Sequence, residues 1–137
     1  TIPEAERLDG PSFKHDVTVP VSSVADFLVR AKAEVEAEMD DVRVIAFGHM
    51  GDGNIHFNVC NPLQMAREEF LKEQDRFNKI VYDIVTDMNG SFSAEHGIGV
   101  LRRKEMTRYK SDVELDLMRD IKSTLDPSNI FNPGKVL

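Results

Sequence analysis

With 137 residues, 41% of them hydrophobic and 30% charged, the chain is long enough for one domain with a real core and too short for two of ordinary size. No run approaches the roughly 18 consecutive apolar residues of a membrane span, so no transmembrane segment is expected. A formal net charge of -7, with Arg102-Arg103-Lys104 as the one basic cluster, argues against nucleic acid as the main partner and gives no long-range steering toward an anion, which would need a local cation or metal.

The lone cysteine, Cys60, rules out an intramolecular disulfide and a multi-cysteine zinc site, and fits a reducing, cytoplasmic setting. The chain opens on Thr1 and a polar run, TIPEAERLDG, which reads as part of a longer polypeptide. Residues 13–20 (FKHDVTVP) then alternate strictly, with Phe13, His15, Val17 and Val19 on one face and Lys14, Asp16 and Thr18 on the other. That pattern predicts a half-buried strand closed by Pro20. Over residues 22–40 apolar side chains recur at Val24, Phe27, Leu28, Ala31, Val35 and Met39, the period of an amphipathic helix, with Ser23 placed to cap it and Asp26 three residues on. Residues 42–47 (VRVIAF) and 54–60 (NIHFNVC) read as two more strands, the latter closed by Asn61-Pro62.

A long helix is expected over residues 63–88, with Phe70, Phe77, Val81, Ile84 and Val85 on one stripe and a stop at Asn89-Gly90. Residues 91–99 (SFSAEHGIG) read as a short strand or loop, and residues 101–109 as a helical turn or short helix. Ser111 with Glu114 forms a capping box that opens a last helix ending before Pro127. The order predicts a single α+β domain, ferredoxin-like, with a mainly antiparallel three-stranded sheet and helices packed on one face. Such a sheet leaves edges for another domain or a second copy to cover.

Chemistry concentrates in GHMGDGNIHFNV, residues 48–59. Asp52-Gly53 is the dipeptide type of a two-residue I′ turn, and a hairpin around it sets His49 directly opposite His56, with Cβ atoms about 4.5–5.5 Å apart. Asn58 shares their face, while Ile55, Phe57 and Val59 point to the core. Two imidazoles so placed can share a metal, and the best third ligand is Glu95 in the glycine-flanked SAEHG stretch. Two histidines and one carboxylate leave positions open, as catalytic sites do, with His96 as an uncoordinated base nearby. A plainer reading stands beside it: a cross-strand histidine pair with ordinary hydrogen bonds, and Glu95 as a surface acid. His15, between Phe13 and Val17, reads as a packed strand histidine. Asp52 reads as a turn former. Lys14 is either a solvated strand lysine or a cation offered to a substrate.

Three motifs in order, GHMGDGNIHFNV at 48–59, AEHGIG at 94–99 and LDPSNIFNPGKVL at 125–137, resemble the C-terminal domain of FAD-linked oxidases of the vanillyl-alcohol-oxidase type. Within that group the chain is most similar to the flavin-dependent D-2-hydroxyacid dehydrogenases, those for D-lactate and D-2-hydroxyglutarate and the glycolate oxidase flavoprotein subunit. The resemblance implies that His49, His56 and Glu95 bind a divalent metal, commonly zinc, beside the flavin. It implies that Asn58, His96 and Lys14 contact the substrate, a small 2-hydroxy acid, and that Asn132 touches the FAD. It further implies an FAD-binding domain upstream in the same polypeptide, since these residues hold no GxGxxG fingerprint or other nucleotide cradle. The arginine that the family places just before the IPEA-like segment would fall upstream of Thr1, and Arg7 does not take its role.

The activity so implied is oxidation of a D-2-hydroxy acid to the 2-oxo acid, with FAD accepting hydride and His96 taking the hydroxyl proton. Without the flavin domain these residues alone are expected to be inactive. Read without the resemblance, the residues also suit a hydrolase using metal-activated water, or a non-catalytic binding or assembly module, homo-oligomeric contacts included.

Overall fold

Strict alternation in the first strand produces its two-sidedness directly. In the computed structural model, which describes residues 10–137, β1 (Ser12–Thr18) buries Phe13, His15 and Val17 on one side and leaves Lys14 exposed on the other. The polar lead-in, Arg7 included, lies outside the described residues. β2 (Arg43–His49) and β3 (Asn54–Cys60) complete an antiparallel sheet in the order β1-β3-β2, as the α+β reading requires. The described chain divides into two compact units, one up to Glu95 and one from His96 to Leu137.

In the first unit, α1 (Val24–Glu38) buries Val24, Phe27, Ala31 and Val35, a stripe of helical period. Its expected cap is not made. Ser23 is helical in backbone (φ -99°, ψ -2°) and closes a 3-10 turn, Val21–Ser23, whereas a capping side chain needs an extended residue to reach back to the first free N–H groups. The expected helix over 63–88 is likewise shorter and interrupted: α2 (Arg67–Phe70), a 3-10 turn (Leu71–Glu73), then α3 (Gln74–Asp87). Asn61 is the physical reason for the late start. Its side-chain Nδ2 donates to the Met65 carbonyl at 2.9 Å, and Met65 N–H donates to Pro62 O, which ties residues 62–65 into a turn. The far end stops as expected, with Asn89 in the left-handed conformation (φ 57°) just past the helix.

Phe13 stacks on Phe70 at 4.1 Å and meets Phe77 at 5.7 Å, and Phe57 meets Phe27 edge-on at 5.6 Å. These rings join the sheet to its helices, each fully buried Phe contributing about 1.5–3 kcal/mol. His15 sits in this apolar layer as a structural residue: its ring nitrogens lie 2.9 Å from Phe57 O and 2.9 Å from Asn78 Oδ1.

The hairpin corrects the expected pairing. The loop is four residues, Met50 to Gly53, with Asp52 N–H donating to His49 O, so His49 faces Asn54 and His56 faces Phe47. A directly opposed histidine pair is therefore not formed. Gly53 explains the choice. It has φ 73°, and a Cβ there would lie 2.0 Å from the Val19 carbonyl, so the loop can dock on the end of β1 only with glycine at this point. The shift is by two residues, an even number, so His49 and His56 keep a common face, now as diagonal neighbours with ring centroids 5.9 Å apart.

In the second unit, α4 (Arg103–Tyr109) is followed by α5 (Asp112–Leu125). The predicted capping box is present: the Ser111 hydroxyl accepts from Glu114 N–H, and the Glu114 carboxylate accepts from Ser111 N–H. Past α5, the buried Asp126 accepts from Ile130 and Phe131 N–H groups at 2.9 Å and pairs with Lys122, and that pairing first, then the two N–H groups, holds its pKa below the ordinary value. No described helix is long and apolar enough to cross a membrane.

Candidate functional site

Opposite the helix-covered layer, the even-numbered residues of β1 and β3 share one face. Cross-strand register places Lys14 against Asn58 and, one rung on, Asp16 against His56. The four side chains therefore form one contiguous block. Asn58 is 2% exposed and Asp16 1%, so this polar face is largely sealed, and only Lys14 is open to solvent.

Glu95 arrives from the loop after α3. Ser91 pairs with Thr18 in an isolated antiparallel bridge, which turns the loop back over the end of β1. Ala94 N–H then donates to the Asp16 carbonyl at 3.1 Å, and Glu95 N–H donates to Asp16 Oδ2 at 2.9 Å. The outcome is a carboxylate oxygen of Glu95 3.1 Å from His56 Nε2, with the other ring nitrogen of His56 3.8 Å from Asp16 Oδ1. One ligand atom from each of Asp16, His56 and Glu95 lies within 4.8 Å of the others. A neutral imidazole nitrogen with carboxylate oxygens is a donor set that suits zinc, iron or manganese. The Glu95 side chain is 47% exposed, so one side of the cluster stays accessible.

His49 stands at the margin of this cluster. It is exposed, and it lines a recess of about 230 Å³ together with Glu95, Thr18, Asp52 and Asn54. His96 follows Glu95 in the chain and is exposed as the first residue of the second unit. Asn132, also in the second unit, has φ 48° and lines a cavity of about 730 Å³ with Lys122, Asp126, Phe131 and Lys135.

Two residues of the site escaped the sequence reading. Asp16 was visible as a member of the polar face of β1, but nothing local said it would be buried against His56. Asn54 bonds the same carboxylate, its Nδ2 donating to Asp16 Oδ1 at 2.9 Å and to Val17 O at 3.1 Å. Strand parity, which puts Asp16 and Asn54 on the same face as His56, is the signal that could have found them.

Residues 2–136 match the family described as FAD linked oxidases, C-terminal domain. The chain is 39% identical over 124 residues to a D-2-hydroxyglutarate dehydrogenase of Stutzerimonas stutzeri (strain A1501), covering 90% of this chain and 27% of that protein. It is 40% identical over 121 residues to a D-lactate dehydrogenase of Anaerostipes hadrus, covering 88% and 25%. With the mitochondrial D-2-hydroxyglutarate dehydrogenase of Rattus norvegicus it shares 34% over 136 residues, covering 99% and 24%. The chain thus spans about a quarter of the length of these relatives.

Proposed function

Because this chain belongs to the family of FAD-linked oxidase C-terminal domains, we propose that it is the substrate- and metal-binding part of a flavin-dependent dehydrogenase that oxidises a D-2-hydroxy acid to the 2-oxo acid. The observation that carries this reading is the convergence of His56 Nε2 and Glu95 Oε1 at 3.1 Å on the polar face of the sheet. A divalent cation held there, with FAD bound elsewhere in the polypeptide, supplies Lewis-acid polarisation of the substrate hydroxyl and an acceptor for hydride.

The remaining work falls to side chains of this chain. His56 and Glu95 are the ligands that the geometry supports, and His49, on the same face and sharing a recess with Glu95, completes the set. To Lys14 and Asn58, paired across β1 and β3 one rung from His56, we assign the oxygens of a carboxylate substrate, Lys14 by charge and Asn58 by its amide. His96, next to Glu95 in the chain, accepts the hydroxyl proton as the hydride leaves C2. Asn132 is assigned to the flavin side.

Elemental analysis of the full-length protein, together with turnover of D-2-hydroxyglutarate and D-lactate, tests the reading. One divalent metal per chain and chelator-sensitive oxidation of a D-2-hydroxy acid are expected. Full turnover in metal-free protein would overturn the metal assignment. Near-normal kcat in His96→Ala would overturn the base.

A further inference from the structure

Asp16 lies in the donor cluster described above but not in the proposed ligand set, and it accepts hydrogen bonds from Glu95, Asn54 and Ala94. It is a carboxylate 1% exposed, and burying such a group is costly unless donors surround it. Here the donors are site residues. Oδ2 accepts the Glu95 N–H at 2.9 Å, Oδ1 accepts Asn54 Nδ2 at 2.9 Å, and the backbone carbonyl of the same residue accepts the Ala94 N–H at 3.1 Å. Two consecutive peptide groups of the loop carrying Glu95 are thereby fixed by one residue of β1. This matters because the Glu95 side chain is half-exposed, so packing contributes little to where its carboxylate sits.

The second relation is to His56. Glu95 lies on the Nε2 side of the ring, and Asp16 Oδ1 lies 3.8 Å from Nδ1. That distance exceeds a hydrogen bond, so the coupling at this spacing is electrostatic. A carboxylate thus faces each ring nitrogen, and when a metal takes Nε2 in place of a proton, Asp16 is the carboxylate left facing the proton on Nδ1. Histidine ligands are commonly oriented in this way by a carboxylate behind them.

We infer that Asp16 is the positioning residue of the site: it fixes the backbone of the Glu95 loop and faces the Nδ1 proton of His56 when a metal takes Nε2. The inference rests on the metal-site reading above. Asp16→Asn is the informative variant, because an amide keeps the volume but offers an acceptor on one side only. With Glu95 N–H and Asn54 Nδ2 both seeking acceptors, one bond is lost, and the charge behind Nδ1 goes with it.

The test is zinc affinity of the full-length protein, measured by competition with a chromophoric chelator, together with ¹⁵N spectra of the zinc-loaded protein labelled in histidine and assigned with His56→Ala. Wild-type protein is expected to bind zinc through His56 Nε2 with the proton retained on Nδ1. Asp16→Asn is expected to weaken binding 10- to 100-fold, as loss of such partners does, with a shifted Nδ1 resonance. A merely structural Asp16 would lower the unfolding midpoint and leave the affinity of the folded protein unchanged, and that result overturns the inference. If Asp16→Asn does not fold, the wild-type spectrum decides: zinc on Nδ1 overturns the inference, zinc on Nε2 with Nδ1–H supports it. Wild-type protein that takes up no zinc, manganese or iron sinks the metal-site reading itself, an outcome distinct from tight wild-type binding left unmoved by Asp16→Asn.

Discussion

Two histidines on adjacent strands show how the faces of this sheet differ. His15, on the helix-covered face, has a carbonyl oxygen and an amide oxygen at its two ring nitrogens, both neutral partners, inside a cage of Phe57 and Tyr82. His56, on the other face, has carboxylates at both ends of its ring. The first arrangement satisfies a buried polar group and specifies packing. The second brings two carboxylates to one imidazole, an arrangement that fits the cation site proposed above.

The sharpest way to break this contrast is to remove each histidine in turn. His56→Ala should lower turnover of the full-length enzyme on the order of 10³-fold and abolish stoichiometric metal, with an unfolding midpoint near that of the wild type. Steady-state kinetics and elemental analysis check it. A variant that keeps its metal would mean that His56 is no ligand.

His15→Leu should do the reverse. It leaves Phe57 O and Asn78 Oδ1 without their imidazole partner, at a cost of about 3 kcal/mol, while zinc affinity of the folded protein stays within about twofold. Urea unfolding reads the first quantity and chelator competition the second. Equal losses in both would show that the two faces are not independent.

Much of this difference was legible in sequence because it is local. Alternation in FKHDVTVP assigned His15 to the core, and the spacing of Phe27, Ala31 and Val35 gave α1 its buried stripe. The capping box at Ser111 could be read for the same reason: its partners are three residues apart. What failed depended on distant segments. The hairpin loop is Met50 to Gly53, not Asp52-Gly53 alone, because Gly53 docks on Val19, and no turn propensity encodes that contact. Asp16 was overlooked for a related cause. Strand parity puts it on the polar face, but its meeting with His56 is set by the β1–β3 register, between segments far apart in the chain.

Gly53→Ala tests how far that docking governs either face. A side chain at φ 73° costs about 1–3 kcal/mol, and here the backbone of Val19 must also give way. The expected loss is about 2 kcal/mol in stability with zinc affinity nearly intact, since Asp16, His56 and Glu95 bond among themselves. A large fall in zinc affinity would instead mean that the docking of the loop also sets His49, the third ligand proposed above.

The smallest effect should lie outside both faces, at the start of α5. Ser111→Ala removes the hydroxyl that accepts Glu114 N–H, at a cost of about 1 kcal/mol. The Glu114 carboxyl is held down to about 2 from its ordinary 4.5, first by the Ser111 N–H, then by Lys110 and the Ser111 hydroxyl. A carboxyl whose pKa is lower in the folded than in the unfolded state adds stability that is complete above about 4.5 and is lost as pH falls toward 2. The box should therefore hold at pH 4 and fail in stronger acid. Ser111→Ala keeps the backbone donor and Lys110, so it should raise the Glu114 pKa only part of the way back. A carboxyl ¹³C titration checks both. A wild-type midpoint near 4.5 would mean that the Glu114 carboxylate gains little from closing the box, leaving the Ser111 hydroxyl as the working half of the cap.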